Sequence, residues 1–398
     1  MGAYHDAIKL NAKRHFEGKV VLDVGTGTGV LSIWAAQAGA KRVYAVEATS
    51  VAHKAEKLIA AHGFSDVITV LNGRMEQVVV PEKVDVLLSE WMGYFLLREA
   101  MVNSVIDARD QYLKPGGVMY PSSARLLLSS LDEPGFLAAR RADVTESMAG
   151  WDVLASSLKA RYDLDLSALR QAYADENEDY AMRQAWQGGV AAHARVGEAQ
   201  VLLDVDMHTV TKGDLFGWKR KIRIPEASEA SPIHLLCGWF DVRFCASGGE
   251  SGGDREGREG GAEAGDPSCV ELTTSPTAPY THWAHTTLVL VPPLTTPELS
   301  VGLDHSRRSH HDLNVTVTYA ATAGGDDGAV AGGRVGGGDG DGGTKQITAS
   351  YAITAEFKSG DRSPEDAAGN GGSGGGSGGL AAFDEDSGEE AGGYAYDD

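Results

Sequence analysis

The run Val20-Val21-Leu22-Asp23-Val24 passes directly into Gly25-Thr26-Gly27-Thr28-Gly29, and then into a helical pattern, Val30–Ala38, closed by Gly39. Few folds accommodate that succession. A strand that is almost wholly apolar is covered on both faces, which calls for a parallel sheet with helices on each side. A glycine turn between strand and helix lets a ligand approach the backbone at a helix N-terminus. A second strand, Arg42–Val46, ends at Glu47, 18 residues after Gly29, at the reach where an acid accepts two ribose hydroxyls. The glycines are spaced G-x-G-x-G, not G-x-G-x-x-G, and nothing basic is placed for a pyrophosphate. A nucleoside without phosphates, S-adenosylmethionine, suits Asp23 with this turn.

Thr49 or Ser50 caps a third helix to His62, and Val67–Leu71 reads as a third strand followed by Asn72-Gly73-Arg74-Met75-Glu76. In such a loop Met75 can cover an adenine and Glu76 can accept its exocyclic amine. A plain helix-start acid explains Glu76 equally well.

The next apolar run, Val84–Leu88, leads into Ser89-Glu90-Trp91-Met92-Gly93-Tyr94-Phe95-Leu96-Leu97-Arg98-Glu99-Ala100-Met101. This loop falls past the carboxyl end of a central strand, where ligands of open α/β sheets bind. Two acids among apolar and aromatic residues repel, so one of them holds a proton unless a cation lies between them. Planar guanidinium matches best, because its fork of donors suits carboxylates bidentately. Taken alone, the loop is equally consistent with an N-cap acid and a first-turn acid on the helix that Met101–Leu113 predicts, without any ligand.

Past Lys114-Pro115-Gly116-Gly117 the pattern changes. Alternating runs at 123–128, 201–205, 233–244, 287–290, 313–319 and 347–353 predict antiparallel strands of a barrel or sandwich. Between them, about 143–188, lies a helical insertion rich in Trp151, Leu158, Tyr162, Leu164, Leu166, Leu169, Tyr173, Tyr180, Met182 and Trp186. So much apolar surface on a projecting segment suggests an interface, with packing on its own barrel as the other reading. Neither zinc-ligand spacing nor a G-x-S-x-G nucleophile is present.

Composition sharpens the picture only through its unevenness. Of the net charge of −21, most falls in glycine-rich stretches: 246–268 holds six acids and two arginines, 323–343 four and one, 359–398 ten and one. Such stretches cannot bury a core. The first two are expected to be loop insertions, and the last a disordered acidic tail, either plainly solvated or attracting basic proteins. Cys237, Cys245 and Cys269 lack C-x-x-C spacing and are odd in number, which points to a reducing compartment, cytosol or nucleus. No run is long enough for a membrane span, and the polar start is not a signal peptide.

Taken together, D-V-G-T-G-T-G, the acid closing the second strand, S-E-W-M-G-Y, the second Glu of that loop and the later Thr281-His282-Trp283 resemble the protein arginine methyltransferases. Similarity extends over about residues 4–358, and the segment after Gly150 is most similar to the plant and algal members of the type I group. The resemblance implies an S-adenosylmethionine-binding Rossmann-like domain over 1–122 and a β-barrel substrate domain over 123–358. It further implies a helical arm for homodimerisation, with the tail at 359–398.

The resemblance assigns catalysis to Glu90, Glu99 and His282, and the cofactor to Asp23, Gly25, Gly27, Gly29, Glu47, Met75 and Glu76. It assigns substrate binding to Met92, Tyr94, Met101 and Trp283. Histones or Gly/Arg-rich proteins are the implied substrates, in nucleus and cytoplasm, with neither nucleic acid nor membrane as a direct partner. Arg334, in Gly332-Gly333-Arg334-Val335-Gly336, is a candidate for self-methylation. The family carries a helix before the first strand, with a Tyr-rich cofactor-covering motif and an Arg for the cofactor carboxylate. This chain is expected to start at about the last turn of that region, without either. A catalytically weak dimeric scaffold and a small-molecule methyltransferase are the competing readings.

Overall fold

The computed structural model describes residues 1–191, 193–245, 268–306, 309–321 and 345–353. The two insertions, apart from Ser268, the tail and Arg334 lie outside the described residues.

Five parallel strands form the first half: β1 (Val20–Val24), β2 (Arg42–Glu47), β3 (Ile68–Asn72), β4 (Val84–Leu88) and β5 (Leu113–Tyr120), in the order β3-β2-β1-β4-β5. Every residue of β1 is buried. Each Val or Leu so enclosed contributes about 1.5–3 kcal/mol. Helices α1 (Gly2–Leu10), α2 (Val30–Gln37), α3 (Ala52–Ala61) and α4 (Val102–Tyr112) cover the sheet. Their buried positions recur every three or four residues, as with Ala52, Ala55 and Ile59 of α3. The strand order reverses at β1, so the crevice beyond β1 and β4 is where this architecture binds ligands.

A nine-residue helix, α1, precedes β1. Its face of Tyr4, Ala7 and Ile8 is buried. A π-helical turn, Ala12–Phe16, follows, and His15 meets the Tyr120 hydroxyl at 2.7 Å. The Tyr4 ring stands edge-on to Phe244 of the second half, 4.6 Å between centroids.

The second half contains β6 (Ser123–Asp132), α5 (Pro134–Tyr162), α6 (Arg170–Met182), β7 (Ala185–Gly188), β8 (Arg195–Val196), β9 (Gln200–Asp206), β10 (Trp218–Arg223), β11 (Ile233–Phe244), β12 (Val270–Thr273), β13 (His285–Leu294), β14 (Glu298–His305), β15 (Leu313–Ala321) and β16 (Lys345–Ile353). They build two antiparallel sheets. One runs β10-β14-β15-β16; the other runs β7-β13-β11-β6-β8, with β12 on β11 and β9 on β6. Tyr319 and Tyr351 of the first sheet donate hydroxyls to the carbonyls of Pro292 and Val289 in the second. Buried Arg109 of α4 ties the halves together, donating to the carbonyls of Met207 and Val210 at 2.9 and 2.7 Å. A cation so enclosed is tolerated because its donors are satisfied.

The arm starts at Pro134, earlier than the expected 143, and none of the 29 residues of α5 is buried. Helices α5 and α6 hold each other through stacked Trp151 and Tyr173, 4.4 Å apart, and through Ser147, which donates to Asn177. Val153, Leu154, Tyr162, Leu164 and Leu169 stay exposed. The base of the arm differs from its tip. Met182 is buried, and Trp186, expected in the helical segment, lies in β7 with the Arg140 guanidinium 4.2 Å above its ring. Cys245 and Cys269 form a disulfide that the cysteine spacing did not announce. Register explains it, since Phe244 pairs with Val270 and the next positions out face each other.

Candidate active site

Strands β1 and β4 run side by side, and the Ser89 hydroxyl donates to the Val24 carbonyl at 2.8 Å. That bond sets the acid loop against the glycine turn. Gly25 has φ +71°, and a Cβ there would collide with the Met101 methyl. Glycine is thus required twice at this position, for its backbone and for the side chain resting on it. Gly27 has φ +56° with open space where a Cβ would point, and Gly29 opens α2 in the left-handed conformation.

Glu47 closes β2, nearly buried, and its carboxylate accepts from Gly27 N at 2.9 Å and from Thr49 N and Oγ1 at 2.9 and 2.7 Å. A carboxylate has about four acceptor positions, so at least one stays available to a hydroxyl. Asp23 is wholly enclosed. Its Oδ2 accepts from Thr26 and Ser32, while Oδ1 has no hydrogen-bond partner. Burial raises the Asp23 carboxyl to about 6, against the hydroxyl bonds that lower it. The open cradle at Gly27, the orphaned Asp23 oxygen and the acid ending β2 fit a nucleoside cofactor that carries no phosphate. Met75 is buried in the core, and Glu76 is exposed and accepts from Ser104 Oγ of α4 at 2.5 Å.

The acid loop is compact and strained. Phe95, Leu96, Glu99 and Ala100 all have positive φ, at 52°, 66°, 82° and 57°. Gly93 pairs with Leu96, and a Cβ on Gly93 would strike the Arg98 carbonyl. Residues far away in sequence hold this shape. Trp283 Nε1 donates to the Met92 carbonyl at 2.7 Å, the Phe95 ring fills the space above Gly238 of β11, and Tyr4 donates to the Ser89 carbonyl at 2.9 Å. Met92 is buried with its sulfur 3.6 Å from the Tyr4 hydroxyl, and Tyr94 is partly buried against the core.

The two acids differ. Glu90 is largely enclosed, with Oε1 lacking a partner, and its carboxyl is pushed up to about 7. Burial is the main cause and the Glu99 charge the second, while the Met92 amide and the amino-terminal charge pull it down. Glu99 has a side chain 56% exposed and takes Arg98 Nη1 at 2.8 Å. His282 is at the surface, its ring 3.9 Å from that of Trp283, and makes no hydrogen bond to either acid among the described residues. Its imidazole lies below the ordinary value, through the burial it has and then the amino-terminal charge.

The structure therefore brings together Asp23, Gly25, Gly27, Gly29, Glu47, Glu90, Met92, Met101 and Trp283. Glu76 and His282 stand at the periphery. Four participants were missed by sequence reasoning. Tyr4 and Thr49 were within reach of it, through the amphipathic spacing of α1 and the short distance to Glu47. His311 and Asp312, whose backbone and side chain meet Glu99 and Arg98, carry no local signal. Among the described residues there is no group of His, Cys, Asp and Glu able to hold a metal ion, and no helix long and apolar enough to cross a membrane.

Known proteins match the chain along most of its length. Residues 21–117 match the family described as a methyltransferase domain, and residues 137–324 match the arginine methyltransferase oligomerization subdomain. The chain is 39% identical over 325 residues to protein arginine N-methyltransferase PRMT10 of Oryza sativa subsp. japonica, covering 80% of this chain and 81% of that protein. It is 39% identical over 324 residues to the Arabidopsis thaliana protein of the same name, covering 79% of each. The crystal structure of Arabidopsis thaliana protein arginine methyltransferase 10, described as a uniquely open conformation, superposes with a TM-score of 0.71 at 32% identity, covering 89% of this chain and 94% of that one. A Trypanosoma brucei PRMT1 enzyme–prozyme heterotetrameric complex with AdoHcy superposes with a TM-score of 0.64 at 26% identity, covering 89% and 94%.

Proposed function

The chain belongs to the protein arginine N-methyltransferase family, and on that footing we propose that it is a type I enzyme. It transfers methyl groups from S-adenosylmethionine to arginine side chains of proteins such as histones or Gly/Arg-rich proteins, giving monomethyl- and asymmetric dimethylarginine. The observation that carries this reading is the junction of turn and loop, where Ser89 bonds Val24 and Met101 rests on Gly25. It sets a half-satisfied buried acid, Glu90, beside the cradle of Gly25, Gly27 and Glu47.

S-adenosylmethionine, when bound, would supply a methyl group made electrophilic by its sulfonium sulfur, the S–CH3 bond breaking to leave the neutral thioether S-adenosylhomocysteine. Glu47 would hold the ribose, and Asp23 keeps the turn in shape through Thr26 and Ser32. Glu90 and Glu99 grip the substrate guanidinium, whose delocalised charge makes it a poor nucleophile. Drawing that charge toward one nitrogen leaves the other freer to form the new N–C bond, so positioning and electrostatics supply most of the acceleration. The proton released from the methylated nitrogen passes to a group poised near neutrality. Glu90, whose carboxyl burial raises to about 7, meets that requirement, while His282, held below its ordinary value, stands at the periphery of the slot. Met101 and the Thr-His-Trp loop support the type I product, and Met92 and Tyr94 shape the slot. The exposed apolar tip of the arm supports a homodimer that docks it on the partner's cofactor half. Nucleus and cytoplasm are the proposed places of action.

The test is incubation of the full chain with radioactive S-adenosylmethionine and a Gly/Arg-rich peptide, followed by analysis of the arginine products. Asymmetric dimethylarginine is expected. Symmetric product would overturn the type, and absence of incorporation by a chain that binds cofactor would leave only a scaffold.

A further inference from the structure

The acid loop contains a guanidinium of its own. Arg98, with a side chain only 11% exposed, places Nη1 2.8 Å from Glu99 Oε1. Its Nε lies 3.6 Å from Asp312 Oδ1, just too far for a hydrogen bond, and is buried without any other acceptor. The two acids cannot drift apart, because the backbones next to them are bonded. Glu99 N donates to the His311 carbonyl at 2.7 Å, and His311 Nδ1 meets the Glu99 carbonyl at 2.9 Å. Ser306 N donates to the Asp312 carbonyl at 2.8 Å, fixing the hairpin between β14 and β15 that bears Asp312. One fork thus lies between two anchored carboxylates, bonded to one and within an ångström of bonding the other.

Resting on the arginine-transfer reading, we infer that Arg98 is a resident stand-in for substrate: it occupies Glu99 while the slot is empty and passes to Asp312 when a substrate guanidinium arrives. A buried N–H with no acceptor is disfavoured, and closing onto Asp312 satisfies it. Glu99 is then free for the incoming side chain, and the exchange leaves each carboxylate paired with one cation. Asp312 is accordingly a positioning residue that acts through Arg98. An unoccupied Glu99 would instead stand as a second negative charge beside Glu90, the repulsion already visible in the raised carboxyl of Glu90.

The exchange makes a prediction in sign that a structural ion pair does not. Peptide affinity is measured by calorimetry on the full chain with S-adenosylhomocysteine present, and KM and kcat are measured in parallel. D312N removes the alternative partner, so peptide Kd and KM rise about five- to tenfold while kcat stays within about twofold. R98L removes the competitor, so Kd and KM fall or hold at the wild-type value. In the double variant, the D312N penalty disappears. If Arg98 merely buttresses the loop, R98L, D312N and the double variant all weaken binding alike, and the inference is overturned. It is equally overturned if D312N binds as wild type. E99Q in the same titration separates the two layers. Unchanged binding by E99Q removes the acid-clamp reading itself, whereas loss of binding by E99Q with wild-type behaviour of D312N removes only the role of Arg98 and Asp312.

Discussion

The glycine turn after β1 and the acid loop after β4 both end a buried parallel strand, and both require left-handed backbone, yet they obtain it by opposite means. The turn assigns it to Gly25 and Gly27, at φ 71° and 56°, where no Cβ opposes it. The loop assigns it to Phe95, Leu96, Glu99 and Ala100, where each such residue costs on the order of 1–3 kcal/mol. That strain persists because distant groups over-determine the loop: Trp283 on Met92, Gly238 under Phe95, His311 on Glu99. The turn is a local structure, and the loop is a tertiary one. A nucleoside cradle can therefore exist in the first half alone, whereas the arginine slot depends on the second half being in place.

The strongest way to break this division is at the acids. E90Q should lower kcat/KM for a Gly/Arg-rich peptide by about 10²–10³-fold while cofactor affinity holds, measured by steady-state kinetics and calorimetry. A loss under tenfold would mean that the loop is not the chemical half of the pair. Next comes the link between halves. W283F leaves the buried Met92 carbonyl without its donor, at about 1–3 kcal/mol, so kcat/KM should fall roughly 5- to 100-fold, again without a change in cofactor Kd. Parallel loss of cofactor affinity would show that turn and loop are one unit.

Acid titration sharpens the electrostatic side. Glu90 must be ionised to hold a cation, and its carboxyl in the free enzyme is raised to about 7. The kcat/KM profile should therefore rise with pH through about 7, because below that value Glu90 keeps its proton and the grip is lost. An acid limb near the ordinary carboxylate range would place Glu90 in contact with water. The smallest effects come from a mirror pair. Gly27, at φ 56°, and Ala100, at φ 57°, share a left-handed φ. G27A should destabilise the chain by about 1 kcal/mol and A100G should stabilise it by a similar amount, in denaturant unfolding. Equal signs would show that strain at Ala100 is not real.

The same contrast explains what was legible in the sequence. Val20–Val24, the three glycines and Glu47 lie within one βαβ unit, so pattern and spacing were enough to place them. Glu90 and Glu99 were legible as a pair, but not their difference in exposure, which depends on Arg98, His311 and Asp312. No spacing rule joins residue 98 to residue 312. Strand β10 was missed because Lys219, Arg220, Lys221 and Arg223 hide the alternation of Trp218 and Ile222 on an edge strand. Strand β14, where Leu299, Val301 and Leu303 are buried in alternation, is a short run beside Pro292, Pro293 and Pro297 and was not singled out. Met75 and Glu76 were assigned from their position after β3, and burial then set one in the core and the other on α4.

The bonds from Trp283 to Met92 and from Glu99 to His311 also set a timetable for biosynthesis. Translation at about 5–20 residues per second puts residue 312 about 10–40 s behind residue 101 on the ribosome. During that interval the nascent chain can shape a nucleoside cradle but not an arginine slot, so the growing polypeptide is silent as a catalyst until strands β14 and β15 have emerged.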